Sequence, residues 1–167
     1  MSLSNCKQQL LLEISDPHSS GLLPTQPAND ALAAVHARCG LGAGTYEVAL
    51  VDGAAMAELN RRYAGGEGVT DVLAFDLNRH DNRAPEGTRG QIVICVDVAR
   101  SVAEGRQLDP VAEVLLYFVH GLLHLAGLAD DDPTESKRMH QLEDQILDAL
   151  GFGRAYHAGT SDASRNR

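Results

Sequence analysis

The chain has no tryptophan, few aromatic residues (4%) and three cysteines in 167 residues. Cys6, Cys39 and Cys95 are odd in number, far apart and never at zinc-ligand spacing. Buried thiols in a reducing compartment are therefore expected, rather than a disulfide framework or a cysteine-bound metal. No apolar run approaches the roughly 18 residues of a membrane span, and no segment repeats. The N-terminal stretch MSLSNCKQQLLLEISDP has no small-residue cleavage site of the kind that ends a signal peptide. A soluble, cytoplasmic protein with no membrane partner is the expectation.

Positive charge is also scarce: 14 Lys and Arg stand against 23 Asp and Glu, a net charge of -9. This excludes a protein that coats DNA or anionic lipid non-specifically, because such binding depends on neutralised phosphates. The deficit is uneven. Residues 60–106 hold seven arginines and seven acids, net zero, whereas residues 107–150 hold Lys137 and Arg138 against nine acids, 2 - 9 = -7. A polyanion would have to be received by the middle third.

Apolar residues are plentiful, at 44%, enough for one core. Residues 1–153 are expected to form a single domain, and the small, polar stretch 154–167 a disordered tail. Residues 8–15 read as a strand ended by Asp16-Pro17, residues 18–29 as a Ser, Gly and Pro-rich loop, and residues 30–39 as a helix stopped by Gly40. Residues 46–51 read as a strand. A helix then opens at Asp52 or Gly53 and is halted by Gly65-Gly66. Residues 72–77 and 91–96 are strands joined by a polar loop, and the second leads into a helix over residues 97–107. Asp109-Pro110 caps a helix that is apolar nearly all round and runs to Gly127, so this helix should be central and buried. A last helix, residues 134–150, carries an apolar stripe of Met139, Leu142, Ile146 and Leu150. The mixture predicts an α+β fold, helices packed on a small mixed sheet around a central helix.

That central helix contains HGLLHLAGLADDDP. Four helical residues advance about 6 Å and turn about 400°, which stacks the rings of His120 and His124 on one face. Two histidines so spaced chelate one metal ion. In so apolar a helix the alternative needs two separate hydrogen-bond partners, whereas a single Zn²⁺ satisfies both. Gly127 supplies the turn that returns the chain and brings Asp130, Asp131 or Asp132 within reach as a third ligand. The zinc-protease motif H-E-x-x-H requires a glutamate beside the first histidine, and here that position is Gly121.

The stretch HGLLHLAGLAD resembles the signature H-G-x-L-H-L-x-G-Y-D-H of the YbeY family of bacterial rRNA maturation endoribonucleases, matching from His120 through Gly127. LNRRYAGGEGVTDVLAFDL is similar to the family's L-N-x-x-Y-R-x-x-D-x-P-T-D-V-L-S-F, and RGQIVICVDVA to its L-G-D-I-V-I-C-x-D-x-A. The blocks follow family order over residues 46–150. The resemblance implies an α+β domain, one zinc ion held by three side chains, and cleavage of single-stranded RNA in 16S rRNA 3′-end maturation and ribosome quality control. It implies the small ribosomal subunit and assembly factors as partners. His120, His124 and, at the third histidine's position, Asp130 become the ligands, and Asn60, Tyr63, Thr70 and Asp71 line a substrate groove. The family's arginine after the tyrosine falls on Ala64, its L-G-D aspartate on Gln91, and the aspartate before its third histidine on Ala129. Arg61, Arg62 and Arg89 are the candidates to hold the RNA backbone instead. A carboxylate in place of a neutral imidazole lowers the site's charge by one and makes the zinc a weaker activator of water. A second reading is therefore a catalytically weak assembly factor that keeps the metal for stability.

Overall fold

A computed structural model describes residues 9–77 and 87–153. Cys6, the middle of the polar loop before the fourth strand, and the expected tail 154–167 lie outside the described residues. The elements in chain order are β1 (Leu10–Ser15), α1 (Thr25–Cys39), β2 (Gly44–Val51), α2 (Gly53–Leu59), β3 (Val72–Asp76), β4 (Thr88–Cys95), α3 (Val96–Arg106), α4 (Pro110–Leu125) and α5 (Pro133–Ala149). The expected α+β architecture is what forms. The sheet has the order β1-β2-β4-β3; β1, β2 and β4 run parallel, and β3 pairs antiparallel with β4.

Side-chain alternation assigns the two faces of the sheet. Val48, Leu50, Ile92 and Ile94 join one core with Leu32 and Val35 of α1, Leu115, Phe118 and Leu122 of α4, and Met139 and Ile146 of α5. Val93 and Cys95 point the other way, onto Met56 of α2, with Leu73 and Phe75 beside them. The histidine helix α4 therefore lies between the sheet and the outer helices, as its all-round apolar character requires. Among the described residues no helix is long and apolar enough to cross a membrane.

Three boundaries differ most from expectation. Helix α1 starts at Thr25, not at Asp30, because Pro27 stands in the first turn, where no backbone donor is needed. Asp30 lies inside the helix and accepts a hydrogen bond from Gln26 at 2.9 Å. Strand β4 starts at Thr88, three residues early, because Thr45 and Tyr46 of β2 pair with Thr88 and Gly90. The helix after Gly53 does not run on as α-helix through Tyr63: it passes at Asn60 into a π-helical turn, Asn60–Ala64, which Gly65 closes with φ 68°.

Candidate metal centre

Helix α4 opens where Asp109 accepts from the Val111 N–H at 2.9 Å and Pro110 takes the first helical position. It closes at Gly127, φ +90°, where the Leu128 N–H donates to the Leu123 carbonyl at 3.0 Å, the bonding pattern of a Schellman turn. The chain folds back across the end of α4 and enters α5 through Asp132, which accepts from the Thr134 and Glu135 N–H groups at 2.7 and 3.1 Å. Asp132 is thus committed to capping. Asp130 is returned to the histidines.

The Nε2 atoms of His120 and His124 lie 3.0 Å apart, and the Asp130 oxygens are 3.9 Å from the first and 3.8 Å from the second. Among the described residues these three form the one group of donors that converges as metal ligands do, all within 4.8 Å of one another. Each Nδ1 is already engaged. His120 Nδ1–H donates to Glu143 Oε1 at 2.7 Å, and His124 Nδ1–H to the Leu128 carbonyl at 3.1 Å; an ionised carboxylate and a carbonyl only accept. Both neutral rings therefore aim an Nε2 lone pair at the same point. Two lone pairs at 3.0 Å repel unless a cation or a proton lies between them. Tetrahedral zinc with bonds of about 2.0–2.1 Å sets its ligand nitrogens roughly 3.3 Å apart, close to the separation found. The donor set and its outer partners fit a resident divalent metal.

Electrostatics agree. Burial opposes a charge on His120, but Glu143, Asp130 and Asp71 together outweigh it, so the pKa of this imidazole is raised above 6.5. The three carboxylates concentrate cation-attracting potential at the two Nε2 atoms.

A cavity of about 500 Å³ adjoins the histidines, and Thr70, Asp71, Glu113, Tyr117, His120 and Glu143 are on its wall. The one arginine there is Arg106, at the end of α3. Asp71 Oδ1 is fixed by the Val72 N–H at 2.8 Å and the Thr70 hydroxyl at 3.1 Å.

The family model described as Endoribonuclease YbeY matches residues 26–151, three quarters of the chain. The chain belongs to the YbeY family. Proteins named endoribonuclease YbeY are similar to it from Leifsonia xyli (36% identical, 64% of this chain and 72% of that one) and Nocardioides sp. (38%, 59% and 70%). One from Cutibacterium acnes is 40% identical over 61% of this chain and 69% of its own. The solution structure of a Thermotoga maritima protein shares the fold, with a TM-score of 0.58 and 22% identity over 94% of this chain and 100% of that one. Membership places the chain among metal-dependent endoribonucleases, hydrolases of the RNA phosphodiester backbone.

Within that YbeY fold the other residues singled out from sequence divide. Thr70 and Asp71 reach the cavity beside the metal centre. Asn60 does not: it is buried, and its side-chain amide donates to the Gly68 carbonyl at 3.1 Å, holding the loop after the π-helical turn. Tyr63 stacks edge-on against Phe75, ring centroids 5.9 Å apart, on the sheet face opposite α4. Nor are the three arginines at the histidines. Arg61 binds Glu58 through Nε and Nη2 at 3.1 and 2.8 Å, one turn back on the same helix. Arg62 lies over the Tyr63 ring, 5.6 Å from its centroid. Arg89 donates to the Ala43 carbonyl at 2.9 Å, at the bulge where Thr45 and Tyr46 of β2 pair with Thr88 and Gly90, and is not on the wall of the cavity beside the histidines.

Sequence reasoning missed Glu143, Glu113 and Arg106. A signal existed for the first two. Each is a carboxylate inside an otherwise apolar helical stripe, Glu143 beside Met139, Ile146 and Leu147, and Glu113 beside Ala112 and Val114. Charges there persist only with partners.

Proposed function

We propose that this chain is a zinc-dependent, single-strand-specific endoribonuclease that acts in 16S rRNA 3′-end maturation and ribosome quality control. In this reading it works in the cytoplasm, with the small ribosomal subunit and its assembly factors as partners. The observation that supports the reading most is the aim of both Nε2 atoms at one point with Asp130 closing the third side, each Nδ1 being fixed from behind.

His120, His124 and Asp130 would hold the ion, which when bound supplies Lewis acidity toward a phosphate oxygen and activation of water. Everything else falls to the chain's own side chains. Glu143 and the Leu128 carbonyl keep both imidazoles in the ligand tautomer and fix their planes. Gly121 leaves no carboxylate beside the first histidine, so the residues do not supply the general base of a peptide-cleaving site. Thr70 and Asp71 present a hydroxyl and a carboxylate along the wall the RNA would follow; with the Thr70 hydrogen already given to Asp71 Oδ1, both offer acceptors to which a 2′-hydroxyl can donate.

The test is cleavage of a single-stranded RNA by the metal-loaded protein, beside the His120→Ala variant and beside the chelated wild type. Cutting by the first alone is expected. The absence of an arginine at position 64, and the engagement of Arg61, Arg62 and Arg89 elsewhere, favour one second reading, a metal-stabilised assembly factor. Equal background cleavage in all three samples, with metal retained by the wild type, would select it.

A further inference from the structure

Glu113, Tyr117, His120 and His124 follow one another at helical spacing along α4, a polar line on a helix otherwise packed in apolar core. The last two belong to the metal centre. The first two face the same cavity, Glu113 seven residues or about 10 Å up the helix axis from His120.

Glu113 is 2% exposed and its Oε2 has no hydrogen-bond partner. Arg106 is the charge nearest to it, but Nη1 stops 3.9 Å from Oε1, beyond hydrogen-bond length. The pair is open. A buried carboxylate left half-satisfied is costly, and an arginine held just short of it keeps its N–H groups free. Val98, Val102 and Leu116 line the same cavity and give it apolar surface. Its volume, about 500 Å³, is within the range of small-ligand pockets. Carboxylates predominate on the wall, so the pocket suits a flat, neutral group rich in N–H donors rather than a phosphate.

We propose that this cavity is a nucleobase pocket that reads guanine in the RNA strand lying on the metal centre, an inference that rests on the endoribonuclease reading and adds base preference to it. Guanine has two adjacent N–H donors on its Watson–Crick edge, next to the O6 acceptor. Glu113 supplies the acceptors, Oε2 unpartnered and the carboxylate shared with the neighbouring Tyr117 hydroxyl, Arg106 supplies the donor for O6, and the apolar side chains pack on the ring. Adenine and uracil offer only one of the two adjacent donors. Cytosine offers a single amino donor beside acceptors, which would face the buried carboxylate. The 10 Å between Glu113 and His120 is comparable with a nucleotide's own reach from base edge to phosphate, so a base seated here brings its backbone to the metal ligands.

Calorimetric titration of the metal-loaded protein with the 5′-monophosphates of guanosine, adenosine, cytidine and uridine tests this. The guanosine nucleotide is expected to bind at least about tenfold more tightly than the other three, the size of one good bidentate base contact. Glu113→Gln, which turns one acceptor into a donor facing guanine's own N–H, should abolish the preference without changing metal content. Arg106→Ala, at a half-exposed helix end, should reduce it as well. Equal binding of all four, binding of none, preference for another base, or a preference that survives both variants overturns the proposal. The readout needs no cleavage. Guanine preference in a protein that cuts no RNA would sink the nuclease reading and leave this one standing, and base-blind binding by an active nuclease would do the reverse.

Discussion

At the scale of single residues, Glu143 is the side chain on which the metal centre leans most without touching the metal. It reaches His120 from α5, 23 positions away in sequence, at 2.7 Å. Its carboxylate orients the ring, selects the tautomer and raises the basicity of the ligand nitrogen. Replacing it with glutamine keeps the length and removes the charge, so Glu143→Gln should weaken metal binding by about 10–100-fold, the usual effect of losing such a partner. Competition with a chromogenic chelator measures it. An unchanged affinity would reduce Glu143 to a packing residue. The convergence of His120, His124 and Asp130 was legible in the sequence, because a four-residue spacing on a helix and a glycine turn are local facts. Glu143 was not, since which face of α5 meets α4 depends on the packing of two helices. The arginines' places were hidden for the same reason: nearness along the chain says nothing of how far from the histidines the fold sets each side chain.

At the scale of elements, helix α4 can contact the sheet closely only because two glycines let it. A Cβ on Gly121 would stand 3.0–3.2 Å from three atoms of Ile92, and one on Gly90 would meet Leu125 at 2.5 Å. These contacts set the height of α4 over β4, and with it the position of both histidines. Gly121→Ala should therefore destabilise the fold by about 1–3 kcal/mol through overpacking, read as a lower urea midpoint with unchanged slope. A variant as stable as the wild type would mean that Ile92 has room to turn aside. Helix α4 and its cap were written plainly in the apolar run after Asp109-Pro110. The start of α1 and the first turn of β4 were not: Pro27 reads as a breaker but stands where a helix tolerates it, and Thr88 to Gly90 read as turn until β2 pairs with them.

At the scale of the whole molecule, a metal held by His120, His124 and Asp130 would join separate parts of the fold. Those ligands would come from α4 and from the segment returning to α5, and through Glu143 the outer helix would be fastened to the same point. A metal held at 100 times its dissociation constant would stabilise the folded state by about 2.7 kcal/mol. For a chain of this size that corresponds to a Tm higher by roughly 5–10 °C than after chelation. The pH dependence has a definite sign. In the metal-free protein His120 binds its proton more tightly when folded than when unfolded, because its pKa is raised above 6.5. That contribution is complete below the unfolded value and is lost as pH rises through the folded one. Metal requires the neutral ring and competes with the same proton, so its stabilisation grows over the range in which the proton's contribution fades. The Tm difference between metal-loaded and chelated protein should therefore widen steadily from about pH 5 to about pH 8. A difference that stayed constant across that range would show that the ion binds somewhere other than between these two imidazoles.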